Sequence, residues 1–311
     1  MRKLTSIALV TFLLVAGNAA ANIDYNYVKT PVGPELGSVM GIAIDANGVI
    51  YVVQYHEHNV LKIAVDGTLS RIGHLHPGDT RPGGALHVPK AVAVDPAGNI
   101  FVTQHLPTGA HHALAMFPSD GLIQRLWSHT NDPFGVAVGL GGDPISSLKR
   151  NAIYVTGPHA VYRIRPDQAG LETEECRKGV SYGYCRPQQF GPSFGSPQGV
   201  AVDSIGQVWV SDTHHNQVKR LFADGTLART YPGFKHPTSI TTDLGGHAYV
   251  ADLDHDTVKI IDRSSDLIVE LGSEWFHRPN SVAVEPNCAT RCSVYVSEPH
   301  TRRIWKLTPT P

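Results

Sequence analysis

One pattern recurs six times along this 311-residue chain, and no other feature restricts its fold so severely. Each copy has a short apolar stretch ending in a turn, a second stretch rich in Val, Tyr and Trp, a polar loop, and a third alternating stretch. The first stretches are Gly41-Ile-Ala-Ile-Asp45, Ala91-Val-Ala-Val-Asp95, Gly135-Val-Ala-Val-Gly139, Gly199-Val-Ala-Val-Asp203, Ser239-Ile-Thr-Thr-Asp243 and Ser281-Val-Ala-Val-Glu285, and in five of the six Pro stands two residues earlier. The second are typified by Ile50-Tyr-Val-Val53, Val208-Trp-Val-Ser211 and Val294-Tyr-Val-Ser297, the third by Val60-Leu-Lys-Ile63, Val218-Lys-Arg-Leu221 and Ile304-Trp-Lys-Leu307. A fourth stretch follows, as in Thr68-Leu-Ser-Arg71, Leu122-Ile-Gln-Arg125 and Thr226-Leu-Ala-Arg229. Four short antiparallel strands cannot bury both faces without a neighbour on each side. Six such units therefore predict an all-β, six-bladed β-propeller of four-stranded antiparallel blades rather than a sandwich. The sixth unit stops at Leu307 with three strands, and the free candidate for its fourth is Tyr25-Asn-Tyr-Val-Lys29. Closure by this N-terminal strand would remove an exposed sheet edge.

Between first and second stretches lie Asp45-Ala-Asn-Gly48, Asp95-Pro-Ala-Gly98, Asp203-Ser-Ile-Gly206 and Asp243-Leu-Gly-Gly246. An Asp side chain accepting from its own turn, with Gly taking positive φ at the end, is the chemistry of a tight hairpin, so this column of carboxylates reads as structural.

The first 21 residues stand apart. Arg2 and Lys3 precede an apolar run from Ile7 to Ala16, and Ala19-Ala-Ala21 supplies the small residues of a cleavage site, which predicts an export signal removed before Asn22 and a mature propeller over 22–311. The run is too short to span a bilayer, and the expectation is a periplasmic or extracellular protein without stable membrane insertion. Removing Arg2 and Lys3 leaves 24 basic against 27 acidic residues, a formal charge of −3, which lacks the electrostatic footprint of a nucleic-acid binder. In an oxidising compartment the four cysteines are expected to pair locally, Cys176 with Cys185 and Cys288 with Cys292, the second as a staple across a widened hairpin.

The P-x-G-V-A-V-D, V-x-V-[SAT]-[DQE] and [NHD]-x-[VI] run resembles the NHL repeat, a six-bladed propeller module, most closely over Ser196 to Phe222 with Asp212, Asn216 and Val218 in the family positions. Insertions at Leu106 to Ala113, Gly141 to Arg150 and Gln168 to Pro192 interrupt blades two and three.

Strand direction alternates, so loops into each first strand and loops between second and third strands emerge on one face. Sixteen of the 17 His fall there, and only His247 falls on the other. Imidazole beside Asn in these loops caps backbone groups, as expected for His58 and His215; a denser cluster would bind a divalent metal (Zn, Ca or Mg) or an anion. Two groups qualify. His105, His111 and His112 join His74, His76 and His87; Glu298-Pro-His300 joins His255 and His56.

Related enzymes supply direct checks. Peptidyl-hydroxyglycine amidating lyases resemble NHL propellers with His after the Pro of several first strands, where this chain has Met40, Lys90, Phe134, Gln198, Thr238 and Asn280, none a good zinc ligand. Streptogramin lyases are similar in a Glu-x-His that Glu298-Pro-His300 matches in form, but their recurrent W-F-T-E is absent. A regucalcin-like lactonase needs acidic and Asn calcium ligands, and Asn280 alone is insufficient. The chain contains no G-x-S-x-G, H-E-x-x-H or phosphate loop.

The leading expectation is a monomeric exported platform that binds a small molecule or protein on its His-rich face without catalysis of its own, a divalent metal (Zn, Ca or Mg) being the one cofactor considered. Met40, Lys90, Phe134, Gln198, Thr238 and Asn280 would ring the channel mouth, and Lys90 would be the only charge among them. The alternative is a metal-dependent lyase or lactonase using Glu298, His300 and neighbouring His as catalytic and metal-binding groups.

Overall fold

The structure, a computed structural model, describes residues 27–73, 86–105, 112–117, 124–130, 133–139, 151–165, 187–272 and 275–310, apart from the side chains of 112–113 and 124–130. These residues form six four-stranded antiparallel sheets. Blade one runs Val39–Ile44, Ile50–Gln54, Asn59–Ile63, Leu69–Ile72; blade two Pro89–Val94, Ile100–Gln104, His112–Phe117, Gln124–Thr130; blade three Val136–Val138, Ile153–Thr156, Val161–Ile164, Gln188–Phe190. Blade four runs Gly199–Val202, Val208–Asp212, Gln217–Leu221, Leu227–Tyr231, and blade five Pro237–Thr242, His247–Asp252, Thr257–Asp262, Ile268–Leu271. Blade six combines Ser281–Val284, Val294–Glu298 and Arg303–Pro309 with Tyr27–Pro31 from the other end of the chain. Each first strand lies beside that of the next blade, and blade six returns to blade one.

The predicted closing strand is present but sits two residues further along, with Tyr27 opposite Pro309 and Pro31 opposite Trp305. Pro31 is tolerated because this is an edge strand, whose outer side needs no N–H donor. The fourth strand of blade two is displaced from Leu122–Arg125 to Gln124–Thr130, which puts His129 inside a strand, and His112 begins one. The putting-together of blades buries apolar side chains between sheets: Tyr51, Val53 and Val60 of blade one pack with Val92, Val102 and Phe117 of blade two, and Trp209 and Tyr231 of blade four with Ile240 and Val250 of blade five.

At the channel end the blades meet backbone to backbone. A Cβ on Gly199 would lie 2.5 Å from the Thr238 carbonyl oxygen, and one on Gly41 2.8 Å from that of Lys90. Where the column carries Ser, the hydroxyl bridges the seam instead: Ser281 Oγ accepts from Ile42 N (3.2 Å), and Ser239 Oγ from Val282 N (3.3 Å).

The Asp column has the hairpin role read from sequence. Asp45 Oδ1 accepts from Asn47 N (2.9 Å) and Val49 N (3.0 Å), and Asp95 and Asp203 repeat the arrangement. Gly48, Gly98, Gly206 and Gly246 close these turns with φ between 80° and 92°. Cys288 and Cys292 form a disulfide across the blade-six hairpin. It also clasps its neighbours, since Leu244 N donates to Cys288 O (2.9 Å) and Tyr27 Oη to Cys292 O (3.1 Å). Cys176 and Cys185 lie outside the described residues, as does the export segment.

His247, which the repeat pattern assigns to the far face, has Nδ1 2.8 Å from Asp243 Oδ2, and this hydrogen bond raises its pKa above the ordinary imidazole value against the opposing effect of burial. A raised folded-state pKa stabilises the fold fully below about pH 6.5 and loses that contribution as pH rises through the folded value. Urea midpoints of wild type and His247→Gln should therefore lie further apart at pH 6 than at pH 9; a gap that does not change with pH would show that the pair contributes no charge-dependent stability.

Candidate functional site

The first strands of all six blades surround a central channel of about 600 Å³. Because a first strand is the inner edge of its sheet, its residues succeed one another down the wall, and the residue after each Pro lies near the mouth on the His-rich face. Met40, Lys90, Phe134, Gln198, Thr238 and Asn280 all line the channel. Five are half-buried, whereas Thr238 is buried, its hydroxyl donating to Asn280 O (2.8 Å) with Ala251 O at 3.3 Å. Lys90 is the only ionisable side chain of the six, and its Nζ stands 3.9 Å from the centroid of the Phe134 ring. Tyr55, which follows the second strand of blade one, lines the same cavity and was not singled out by the repeat pattern. The opposite end carries Asp45, Asp95, Asp243 and Glu285.

A belt of hydroxyls fixes this mouth. Ser297 Oγ donates to Met40 O (2.7 Å), Thr103 Oγ1 to Phe134 O (2.6 Å) and Thr156 Oγ1 to Gln198 O (3.2 Å), each reaching from one blade to the next. The [SAT] position at the end of the second strand thus couples neighbouring blades and occupies carbonyl groups of the ring residues.

The acidic position that follows it is structural. Asp212 and Asp252 are fully buried and Glu298 nearly so. Each accepts from the backbone of the loop leading into its own first strand: Asp212 Oδ1 from Gly195 N (2.6 Å), Asp252 Oδ1 from Lys235 N (2.7 Å), and Glu298 Oε1 from His277 N. The second oxygen of Asp212 meets Lys219 Nζ (2.7 Å), Gln217 Nε2 and His215 Nδ1 (both 3.0 Å). Burial pushes the Asp212 carboxyl upward, but these donors and the Gly195 amide outweigh it and hold the group below the usual carboxylate range. Asp252 repeats the arrangement with Lys259 (2.9 Å) and His255 Nδ1 (2.7 Å). In Glu298 the second oxygen accepts from Thr301 Oγ1 (2.6 Å) and Trp305 Nε1 (2.8 Å).

The expected pairing of Glu298 with His300 is not among these bonds. Both carboxylate oxygens are engaged away from His300, which is exposed and packs its ring against His277 at 4.7 Å. The metal candidates of the second group are likewise apart: His255 points Nδ1 at Asp252, and His56 packs against Tyr55. No group of three or more His, Cys, Asp or Glu that would hold a metal ion occurs among the described residues. Of the first group, His87 and His105 are described together with His58. The His58 and His87 rings are 5.1 Å apart, and burial, followed by the neighbouring His58 and His105, lowers the His87 pKa. His74, His76 and His111 and the side chain of His112 lie outside the described set. His58 has the capping role expected of it, its Nδ1 accepting from Val88 N of the next blade (3.0 Å), as Asn216 does from His236 N (2.8 Å) and Asp256 from Arg278 N (2.7 Å).

Comparison with known proteins agrees with this architecture. The NHL repeat family matches residues 194–221, the lead-in and first three strands of blade four. The chain is thus a six-bladed propeller that carries an NHL repeat. No curated protein matches it in sequence. Among solved structures, it is similar to a streptogramin B lyase at 13% identity and a TM-score of 0.59, covering 94% of this chain and 100% of the other. It is similar to virginiamycin B lyase from Staphylococcus aureus at 14% and 0.57, covering 92% and 100%. It also resembles the PQQ-bound aldose sugar dehydrogenase from Streptomyces coelicolor at 12% and 0.62, covering 91% and 98%. Likeness at this level of identity is one of fold.

Proposed function

We propose that this is an exported NHL-type propeller acting as a binding platform, and that it takes a small anionic ligand at the channel mouth on its His-rich face. The observation that carries the reading is the polarity of the channel, with Lys90 in the ring at one end and Asp45, Asp95, Asp243 and Glu285 at the other. An anion is attracted to the first mouth and repelled from the second, and the amides of Gln198 and Asn280 supply hydrogen bonds beside the cation. The His-rich loops around this mouth gain charge on acidification, so the anion should bind more tightly near pH 5.5 than near pH 8. The lyase-like relatives favour a catalytic reading only through their fold, and a fold hosts many activities. In this chain the acid such chemistry would call on, Glu298, is a bracing group.

The test is calorimetric titration of the full mature chain with small carboxylates and inorganic phosphate. Lys90→Met should weaken binding at least about tenfold, the scale of one lost charge-assisted hydrogen bond. Equal binding by wild type and Lys90→Met, or no binding by either, would overturn the assignment.

A further inference from the structure

Three seams between blades on the His-rich face are clasped in the same way. The residue before the Pro of a first strand takes a left-handed backbone, and its N–H is caught by a side chain of the preceding blade, itself on a left-handed residue. His236 N donates to Asn216 Oδ1 (2.8 Å), Arg278 N to Asp256 Oδ1 (2.7 Å) and Val88 N to His58 Nδ1 (3.0 Å), with φ between 45° and 60° at all six residues. The first two acceptors are oxygens. An amide carbonyl takes up no proton near neutrality, and a carboxyl group that does so still keeps an oxygen able to accept. An imidazole nitrogen has one lone pair, so a proton placed on Nδ1 turns it from acceptor into donor. From this difference we propose that the clasp between blades one and two is an acid-sensitive latch, opened by protonation of His58 while the Asn216 and Asp256 clasps stay closed. The proposal does not depend on what the channel binds.

The surroundings of His58 favour opening. In blades four and five the strand-end carboxylates Asp212 and Asp252 lie 3.0 and 2.7 Å from the Nδ1 atoms of His215 and His255, so a proton gained there meets a negative charge. Blades one and two carry Gln54 and Gln104 at that position, both buried and neutral. The ring that faces His58 is His87, 5.1 Å away, whose own Nδ1 is buried with no hydrogen-bond partner among the described residues. Burial, followed by His58 and His105, lowers the His87 pKa, which marks the seam as one that resists added positive charge. The remaining charged and titratable neighbours are turned elsewhere: Glu57 accepts from Ser38 N (3.0 Å) and Ser38 Oγ, His56 packs on Tyr55, and Lys90 Nζ lies over the Phe134 ring. The loop held by the latch is strained as well, because Val88 is β-branched and has φ of 45°. Its other ties, His87 N to Gln104 Oε1 (2.8 Å) and His105 N to Val88 O (3.2 Å), run to its own blade. Release of the latch therefore frees the loop from blade one alone and lets Val88 leave the left-handed region.

The experiment is hydrogen–deuterium exchange of the full mature chain, followed by NMR near pH 5.5 and near pH 7.5 in buffer containing EDTA, with rates corrected for the intrinsic pH dependence of exchange. Protection of the Val88 amide should fall at least about tenfold on acidification, the scale of one lost hydrogen bond, while the His236 and Arg278 amides change by less than about threefold. His58→Asn installs the acceptor that blade four uses, on a residue type that tolerates a left-handed backbone, and should keep Val88 protected at both pH values. His58→Ala should leave it unprotected at both, with thermal melting used to confirm that each variant folds. The latch is refuted by wild-type protection at Val88 that does not change with pH, by an equal loss in wild type and His58→Asn, or by opening of the His236 and Arg278 amides together with Val88. An equal loss would trace the change to another histidine, and joint opening to loosening of the whole face.

Discussion

Gly199→Ala is expected to destabilise the fold by about 3 kcal/mol, among the largest effects of any single methyl group in the molecule. The added Cβ would stand 2.5 Å from Thr238 O and 2.9 Å from Ile240 N, both backbone atoms of the next blade, and 3.0 Å from the hydroxyl of buried Ser211. The Ser211 hydroxyl can turn away, but the two backbone atoms cannot. The only relief is to move blades four and five apart, which opens the packing of Trp209, Tyr231, Ile240 and Val250 behind them. Gly135→Ala meets the Gln198 carbonyl in the same way. Gly67 supplies the control, since it has φ of 84° and nothing within 4 Å of a built Cβ. Its replacement by Ala should cost about 1 kcal/mol through backbone strain alone. Urea unfolding of the three variants checks the ranking. Similar losses at Gly199 and Gly67 would mean that the seam between blades yields more than its geometry indicates.

That contrast also shows what was legible in the sequence. The repeat fixed the blade count because a four-stranded unit has two faces to cover, and the Asp-to-Gly turns were readable because their chemistry is local. Position in the ring was readable too: two residues past Pro begins the inner strand, so the residue between points to the mouth. The role of Asp212, Asp252 and Glu298 was not. A carboxylate at a strand end looks like a rim residue until a loop folds back over it, and that folding depends on groups distant in sequence, such as the amides of Gly195, Lys235 and His277. A signal was present nonetheless. Lys follows the Asp by seven residues in both Asp212–Lys219 and Asp252–Lys259, which places them across one strand pair as a buried ion pair. Blade six has Trp305 in the Lys position, and there the indole N–H donates to Glu298 instead. Tyr55 escaped notice because it belongs to no column of the repeat.

Deleting residues 22–31 should cost more than any of these substitutions, because it removes a strand rather than a side chain. Tyr27–Pro31 pairs with Arg303–Pro309 along five positions. Tyr27 is buried among Phe276, Cys292 and Leu307. Lys29 lies 4.1 Å over Trp305 and 4.8 Å over Phe276 and donates to Trp275 O, and burial lowers its pKa despite the attraction of Glu298. Loss of one buried aromatic side chain and several strand hydrogen bonds amounts to on the order of 5 kcal/mol. The consequence reaches beyond blade six. In a ring each blade is held from both sides, and an opened ring behaves as a linear repeat array whose terminal units fray. The freed edge of Arg303–Pro309 is also a template for pairing with another chain. The truncated protein should therefore unfold over a broader urea range, show different midpoints by tryptophan fluorescence and far-UV circular dichroism, and self-associate as concentration rises. Supplying a peptide of residues 22–33 should restore a single sharp transition. A truncated chain that unfolds at the wild-type midpoint with undiminished cooperativity would show that the ring is closed by packing between first strands alone, with the N-terminal strand no more than a covering.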